Sequence, residues 1–142
     1  MKFLDRLHPL AVLALRLALG AIMIAHGAQK LFGSMPRFMG MLNSMGIPGW
    51  MGYLTVAAEF GGGILLVVGL LTRLAALSIV IDMAVAIDKV HLRNGLVSGG
   101  GKVGYEFPLA CAAIAFALIF LGAGPISLDG AFFRGGGGPA RK

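Results

Sequence analysis

Three side chains in the stretch "AHGAQKLFG", residues 25–33, set the chemical question: His26, Gln29 and Lys30, spaced i, i+3 and i+4. On a helix that spacing gathers an imidazole, an amide and an ammonium on one face. The acids such donors would meet are Glu59 and Asp82, each set inside a long apolar run. Together these groups can hold or pass a proton and can donate to a carbonyl oxygen. A charged side chain at mid-membrane costs about 2.5–3.5 kcal/mol on insertion scales, so it is expected to pair or to serve a ligand. One reading is an ion-pair network that fixes helix register. The other, taken as the working expectation, is a ligand, proton or cofactor pocket whose acid–base set is His26, Lys30, Glu59 and Asp82.

The elements that must carry these residues are apolar helices. The chain of 142 residues is 58% hydrophobic and 13% charged, with a mean hydropathy of +0.88. Soluble domains average about 45–50% apolar and about 25% charged, so the composition is that of an integral membrane protein. Four apolar runs, about 10–32, 51–71, 74–90 and 105–123, predict an all-α bundle of four transmembrane helices. Residues 1–9 form an N-terminal segment, 10–124 the membrane domain, and 125–142 an amphipathic piece with a basic tail expected to be disordered. Lys2 and Arg6 would suit the start of a signal peptide, but the first run is too long for one and Arg16 interrupts it. Between the first two runs, "GSMPRFMGMLNSMGIPGW" breaks the pattern, and Phe38, Met39, Met41, Leu42 and Met45 predict a short interfacial helix. Trp50 and Tyr53 sit where aromatic anchors belong. In "AAEFGGG", Ala57 with Gly61 and Ala58 with Gly62 have the small-xxx-small spacing of a close helix contact, and Gly63 and Gly69 would leave room for a flat ligand.

With four spans both termini share a side. That side carries Lys2, Arg6, Arg73, Arg134, Arg141 and Lys142; the other carries Lys30, Arg37, Lys89, Arg93 and Lys102. The short 72–73 turn and the basic tail place the termini in the cytoplasm. His26, Gln29, Lys30, Glu59, Asp82, Tyr105 and Glu106 then converge on the outer half, leaving Arg16 nearly alone in the inner half.

Several chemistries are excluded. The net charge of +6 comes from basic residues scattered between apolar runs, which is no nucleic-acid stripe. The single cysteine, Cys111, permits no intrachain dithiol cycle and reads as a buried packing residue. Three histidines on three segments give no zinc or haem spacing. No Gly-x-Gly-x-x-Gly follows a strand, so no flavin or nicotinamide site is indicated, and "GGGK" lacks the spacing of a phosphate loop.

The stretches "RLALGAIMIAHGAQKLFG", "AAEFGGGILLVVGLLTRLAAL" and "YEFPLACAAIAFALIFLGAGPISLD" resemble, in order and spacing over about residues 10–130, the DoxX family of small four-helix membrane proteins. The positions that match its polar pattern are His26, Gln29, Lys30, Glu59, Arg73 and Glu106. The resemblance implies a multi-pass protein of the bacterial cytoplasmic membrane. Some relatives are linked to thiosulfate:quinone oxidoreduction, where the membrane subunit is thought to meet the quinone; others accompany soluble thiol- or superoxide-handling enzymes. The expectation is a quinone-interacting subunit of a membrane oxidoreductase complex, with His26, Gln29, Lys30, Glu59 and Glu106 as candidate contacts to the cofactor. The rivals are a non-catalytic anchor or assembly subunit for a partner redox enzyme and, less favoured, a small proton-coupled transporter. Expected partners are the lipid bilayer, a redox protein and, in some forms, a second copy of the chain.

Overall fold

The computed structural model describes residues 7–133; the first six residues and the basic tail from 134 onward lie outside the described residues. The described residues form helices and turns without a strand, apart from one isolated bridge between Gly99 and Lys102. Helix α1 spans His8–Gly33 and is 26 residues long, with Pro9 in its first turn, where a missing N–H costs nothing. Helix α2 is Met35–Ser44. Helix α3 is Gly49–Val68, helix α4 runs over 72–94, helix α5 is Glu106–Leu121 and helix α6 is Leu128–Phe133. Helices α1 and α3 are each long and apolar enough to cross a membrane, while α5 is as apolar but shorter.

The four longest helices pack side by side, α4 along α5 and α1 along α3, with α3 also against α4. Their core contains Leu19, Met23, Leu66, Ile79, Ala115 and Leu118, all fully buried, with Cys111 among them at 2% exposure. The outside is as apolar as the inside. Leu54, Leu74, Ile81, Phe116 and Phe120 are all more than half exposed. Soluble monomers rarely show so continuous an apolar flank, and a lipid solvent accounts for it.

Of the expected small-xxx-small positions, Gly62 packs on Ser78 and Ile79 of α4 while a Cβ added at Gly61 would have nothing within 4 Å, and α1 and α3 approach each other elsewhere. Gly20 of α1 meets Gly63 of α3, where a Cβ on either would lie 2.9 Å from the other's carbonyl oxygen. A Cβ on Gly27 would lie 2.5 Å from the Phe60 nitrogen. Gly63 therefore brings two backbones together and leaves no room for a ligand, and Gly69 is likewise closed off by the Arg16 guanidinium. Ala57 and Ala58 instead line a groove on the other side of α3.

Helix α2 lies across the start of α3. It buries Met35 and Leu42, and both pack onto Gly52, where an added Cβ would meet them at 3.2 and 3.3 Å. The α2–α3 turn is held by Asn43 Oδ1, which accepts from the Gly49 N–H at 2.7 Å. At the opposite end of the bundle, His8, the 71–74 turn, the 121–125 loop and Asp129 surround one cavity. We call the α2 end upper and the His8 end lower.

Candidate functional site

Three of the helices contain one wide π turn at the upper end: Gln29–Gly33 in α1, Ala57–Gly61 in α3 and Ile87–His91 in α4. A π turn inserts a residue and rotates the next turns of the helix, and such turns collect at functional sites. Here they carry Lys30, Glu59, and Asp88, Lys89 and His91 respectively. Glu59 is buried at 3% exposure, and its Oε2 accepts from Lys30 Nζ in an ion pair. Lys30 Nζ also lies 5.2 Å from the centroid of the Phe38 ring, a cation–π contact that ties α2 to the pair. Asp82 of α4 comes up beside Glu59, Thr55 and Lys30. Thr55 precedes Glu59 by one helical turn, so both project from the same face of α3.

These side chains border two adjoining spaces. A chamber of about 160 Å³ is lined by Lys30, Phe38, Thr55, Glu59, Asp82, Lys89 and His91. A groove of about 430 Å³ runs from it between α3 and α4, walled by Leu42, Ile47, Met51, Leu54, Ser78 and Ile81. Thr55, Asp82, Leu42, Ile47 and Val85 belong to both spaces, so the groove ends on the charged chamber. Leu54 and Ile81 are 55% and 58% exposed, which leaves the groove open along the apolar flank. An apolar space of this size closed by a few convergent polar groups is the usual form of a small-molecule site.

The sequence groups His26 with this cluster, and the structure separates it. His26 is exposed, stacks on Phe107 of α5 with ring centroids 5.0 Å apart at 25°, and places Nδ1 3.0 Å from the Ile22 carbonyl oxygen. An i, i+4 pair still diverges by about 40° around a helix. At the edge of a bundle that is enough to turn Lys30 inward and leave His26 on the flank. Gln29 borders neither space. Glu106 is held at the upper loop, where its Oε1 accepts from the Ser98 N–H at 3.0 Å. Lys30, Glu59 and Asp82 are thus brought together; His26, Gln29 and Glu106 are not.

Sequence reasoning misses Thr55 and Ser78, although Thr55, four residues before Glu59, is a readable signal. It also reads Arg16 as a lone charge. Arg16 is 1% exposed and donates to four carbonyl oxygens: Leu66 at 2.9 Å, Val67 at 3.0 Å, Ala123 at 2.6 Å and Ile126 at 2.7 Å.

A protein-family comparison decides what kind of chain this is: the DoxX family profile matches residues 11–92. The chain belongs to the DoxX family. It is 30% identical over 126 residues to the Bacillus subtilis (strain 168) protein named "Putative oxidoreductase CatD", covering 89% of this chain and 90% of that one. It is 35% identical over 133 residues to an uncharacterized membrane protein of Mycobacterium tuberculosis, covering 85% of this chain and 80% of that one. An uncharacterized Haemophilus influenzae protein is 32% identical over 144 residues, covering 94% and 99%. No solved structure gives a significant match. This DoxX chain is therefore an all-helical membrane protein, and the matched region contains Lys30, Glu59, Asp82 and the groove they close.

Proposed function

We propose that this DoxX protein is a quinone-interacting subunit of an oxidoreductase complex in the bacterial cytoplasmic membrane. In this reading α1, α3, α4 and α5 all cross the bilayer, and both termini face the cytoplasm. The observation that carries it is the lateral groove that opens between Leu54 and Ile81 and ends on Thr55, Asp82, Glu59 and Lys30. A lipid-borne quinone needs an apolar slot reached from within the bilayer, donors for its carbonyl oxygens and a carboxylate to take or return protons. In this reading Lys30 and Thr55, which line the chamber, donate to the carbonyl oxygens, and Asp82, which borders both slot and chamber, exchanges the protons. The Bacillus subtilis relative's name, an oxidoreductase, supports the oxidoreductase part of this reading. Electrons would come from a partner protein.

The test uses Trp50, the only tryptophan, whose neighbour Met51 lines the groove. A short-chain quinone added to the detergent-purified protein should quench Trp50 fluorescence saturably, and an Asp82→Leu variant should bind at least about tenfold more weakly, about 1.4 kcal/mol. A linear, unsaturable response equal in both proteins would reject the quinone site. The Lys30–Glu59 pair would then be architectural, and the chain an anchor for its partner.

A further inference from the structure

The lower cavity, about 500 Å³, plays no part in that function. We propose that it binds a phosphate-bearing anion, supplied by the headgroup of an anionic phospholipid. Arg73 stands at its wall, exposed, and makes one long hydrogen bond among the described residues, to the Phe120 carbonyl oxygen at 3.4 Å. Among the described residues the rest of its fork of donors has no partner, and a guanidinium fork matches phosphate oxygens in pairs. His8 borders the same cavity from the first turn of α1. Thr72 also lines it, fully buried, and its Oγ1 has no hydrogen-bond partner among the described residues. Buried polar atoms are nearly always paired, so an orphaned hydroxyl beside a cavity marks a missing partner.

Among the described residues Asp129 is the acid at this cavity; it forms no ion pair with Arg73, and its charge is offset by the buried Arg16. Asp129 spends both oxygens on backbone donors, Oδ1 on the Leu71 N–H at 2.8 Å and Oδ2 on the Thr72 N–H at 3.1 Å. The rim points to a membrane source. Leu74 and Leu121 border the cavity and are 63% and 42% exposed, so a ligand seated at Arg73 continues onto an apolar flank, as a headgroup with acyl chains does.

The experiment is thermal unfolding and lipid titration of the full chain in neutral detergent. Phosphatidylglycerol should raise the unfolding midpoint, while equal phosphatidylcholine and millimolar inorganic phosphate should not. Arg73→Gln should weaken phosphatidylglycerol binding about fivefold, equivalent to about 1 kcal/mol for one arginine at a charged lipid surface. Thr72→Val keeps the shape and should unfold no earlier than the native chain without lipid, yet bind phosphatidylglycerol more weakly. Equal stabilisation by the two lipids, or native phosphatidylglycerol affinity in either variant, would overturn the site. A midpoint shift with inorganic phosphate equal to that with phosphatidylglycerol would overturn the lipid source.

Discussion

The two ends of the bundle treat buried charge in opposite ways. At the lower end, Arg16 is enclosed by backbone: two carbonyls from the last turn of α3 and two from the loop after α5. The last carbonyls of a helix lack partners within it and form the negative end of its dipole, so a buried cation there is both paired and favourably placed. Asp129 complements it by capping the first N–H groups of α4, the positive end of that dipole. Between them, Gly69 and Leu71 turn the chain with φ of 70° and 48°, and Leu71 is the one residue other than glycine with positive φ among those described. At the upper end, Lys30, Glu59 and Asp82 meet one another around open space instead. Charges consumed by backbone lock a fold; charges that face a cavity remain available to a ligand.

The sharpest way to break that contrast is at Arg16. Arg16→Met should remove four hydrogen bonds at once and leave buried carbonyls unpaired, a loss of at least about 3 kcal/mol. Little folded protein should survive detergent extraction, and Arg16→Lys should recover only part, since an ammonium cannot span acceptors on two segments as a planar fork does. An Arg16→Met protein that unfolds at the native temperature would show that the lower clamp is not structural.

Next comes the seam that holds both ends in register. In Gly63→Ala the new Cβ would lie 2.9 Å from both the Gly20 oxygen and the Ile24 nitrogen, backbone atoms with little freedom to retreat. Separating α1 from α3 should cost about 1–3 kcal/mol, read as a lower unfolding midpoint. Gly61→Ala has nothing within 4 Å of its added carbon and serves as the control, expected to unfold at the native midpoint or above. The reverse order would place the close contact on the Ala57–Gly61 face after all.

How far these features are readable from sequence differs between the two ends. The apolar runs and their breaks announce helices, and Glu59 and Asp82 stand out because acids inside such runs are rare. That Lys30 and not His26 turns inward is hidden, since both lie on one side of an ideal helix and the choice depends on neighbours. Phe38 of α2 draws the ammonium and Phe107 of α5 takes the imidazole. Arg16 looks solitary because its partners are carbonyls, which every residue carries and no side-chain pattern reveals. Asp129 capping α4 across 58 residues is equally invisible, being a contact between distant segments.

The upper cluster can then be tested for availability as against architecture. Glu59→Gln keeps the volume and the acceptor for Lys30 but removes the charge. If the cluster serves the groove, quinone binding or turnover should fall about tenfold, about 1.4 kcal/mol, while the unfolding midpoint moves little. A large drop in midpoint with binding retained in the surviving fraction would make the pair a second structural clamp, and the two ends would differ in geometry alone.

The smallest effect is expected at His26, and it separates the geometry from the sequence grouping. His26 touches α5 through its ring stack on Phe107 and borders neither the chamber nor the groove. His26→Ala should lose that contact alone, at most about 1 kcal/mol. His26→Phe keeps an aromatic ring against Phe107 and should restore most of the midpoint. Neither variant should alter quinone affinity by more than about twofold, well below the factor expected for Glu59→Gln. Because His26 and Lys30 stand one turn apart, the comparison is internal: the two side chains leave the same helix at similar depth and differ in which way they point. A tenfold loss of affinity in His26→Phe, with the midpoint intact, would mean that the imidazole reaches the ligand once the groove is filled, and that the exposed, stacked position is only its resting one.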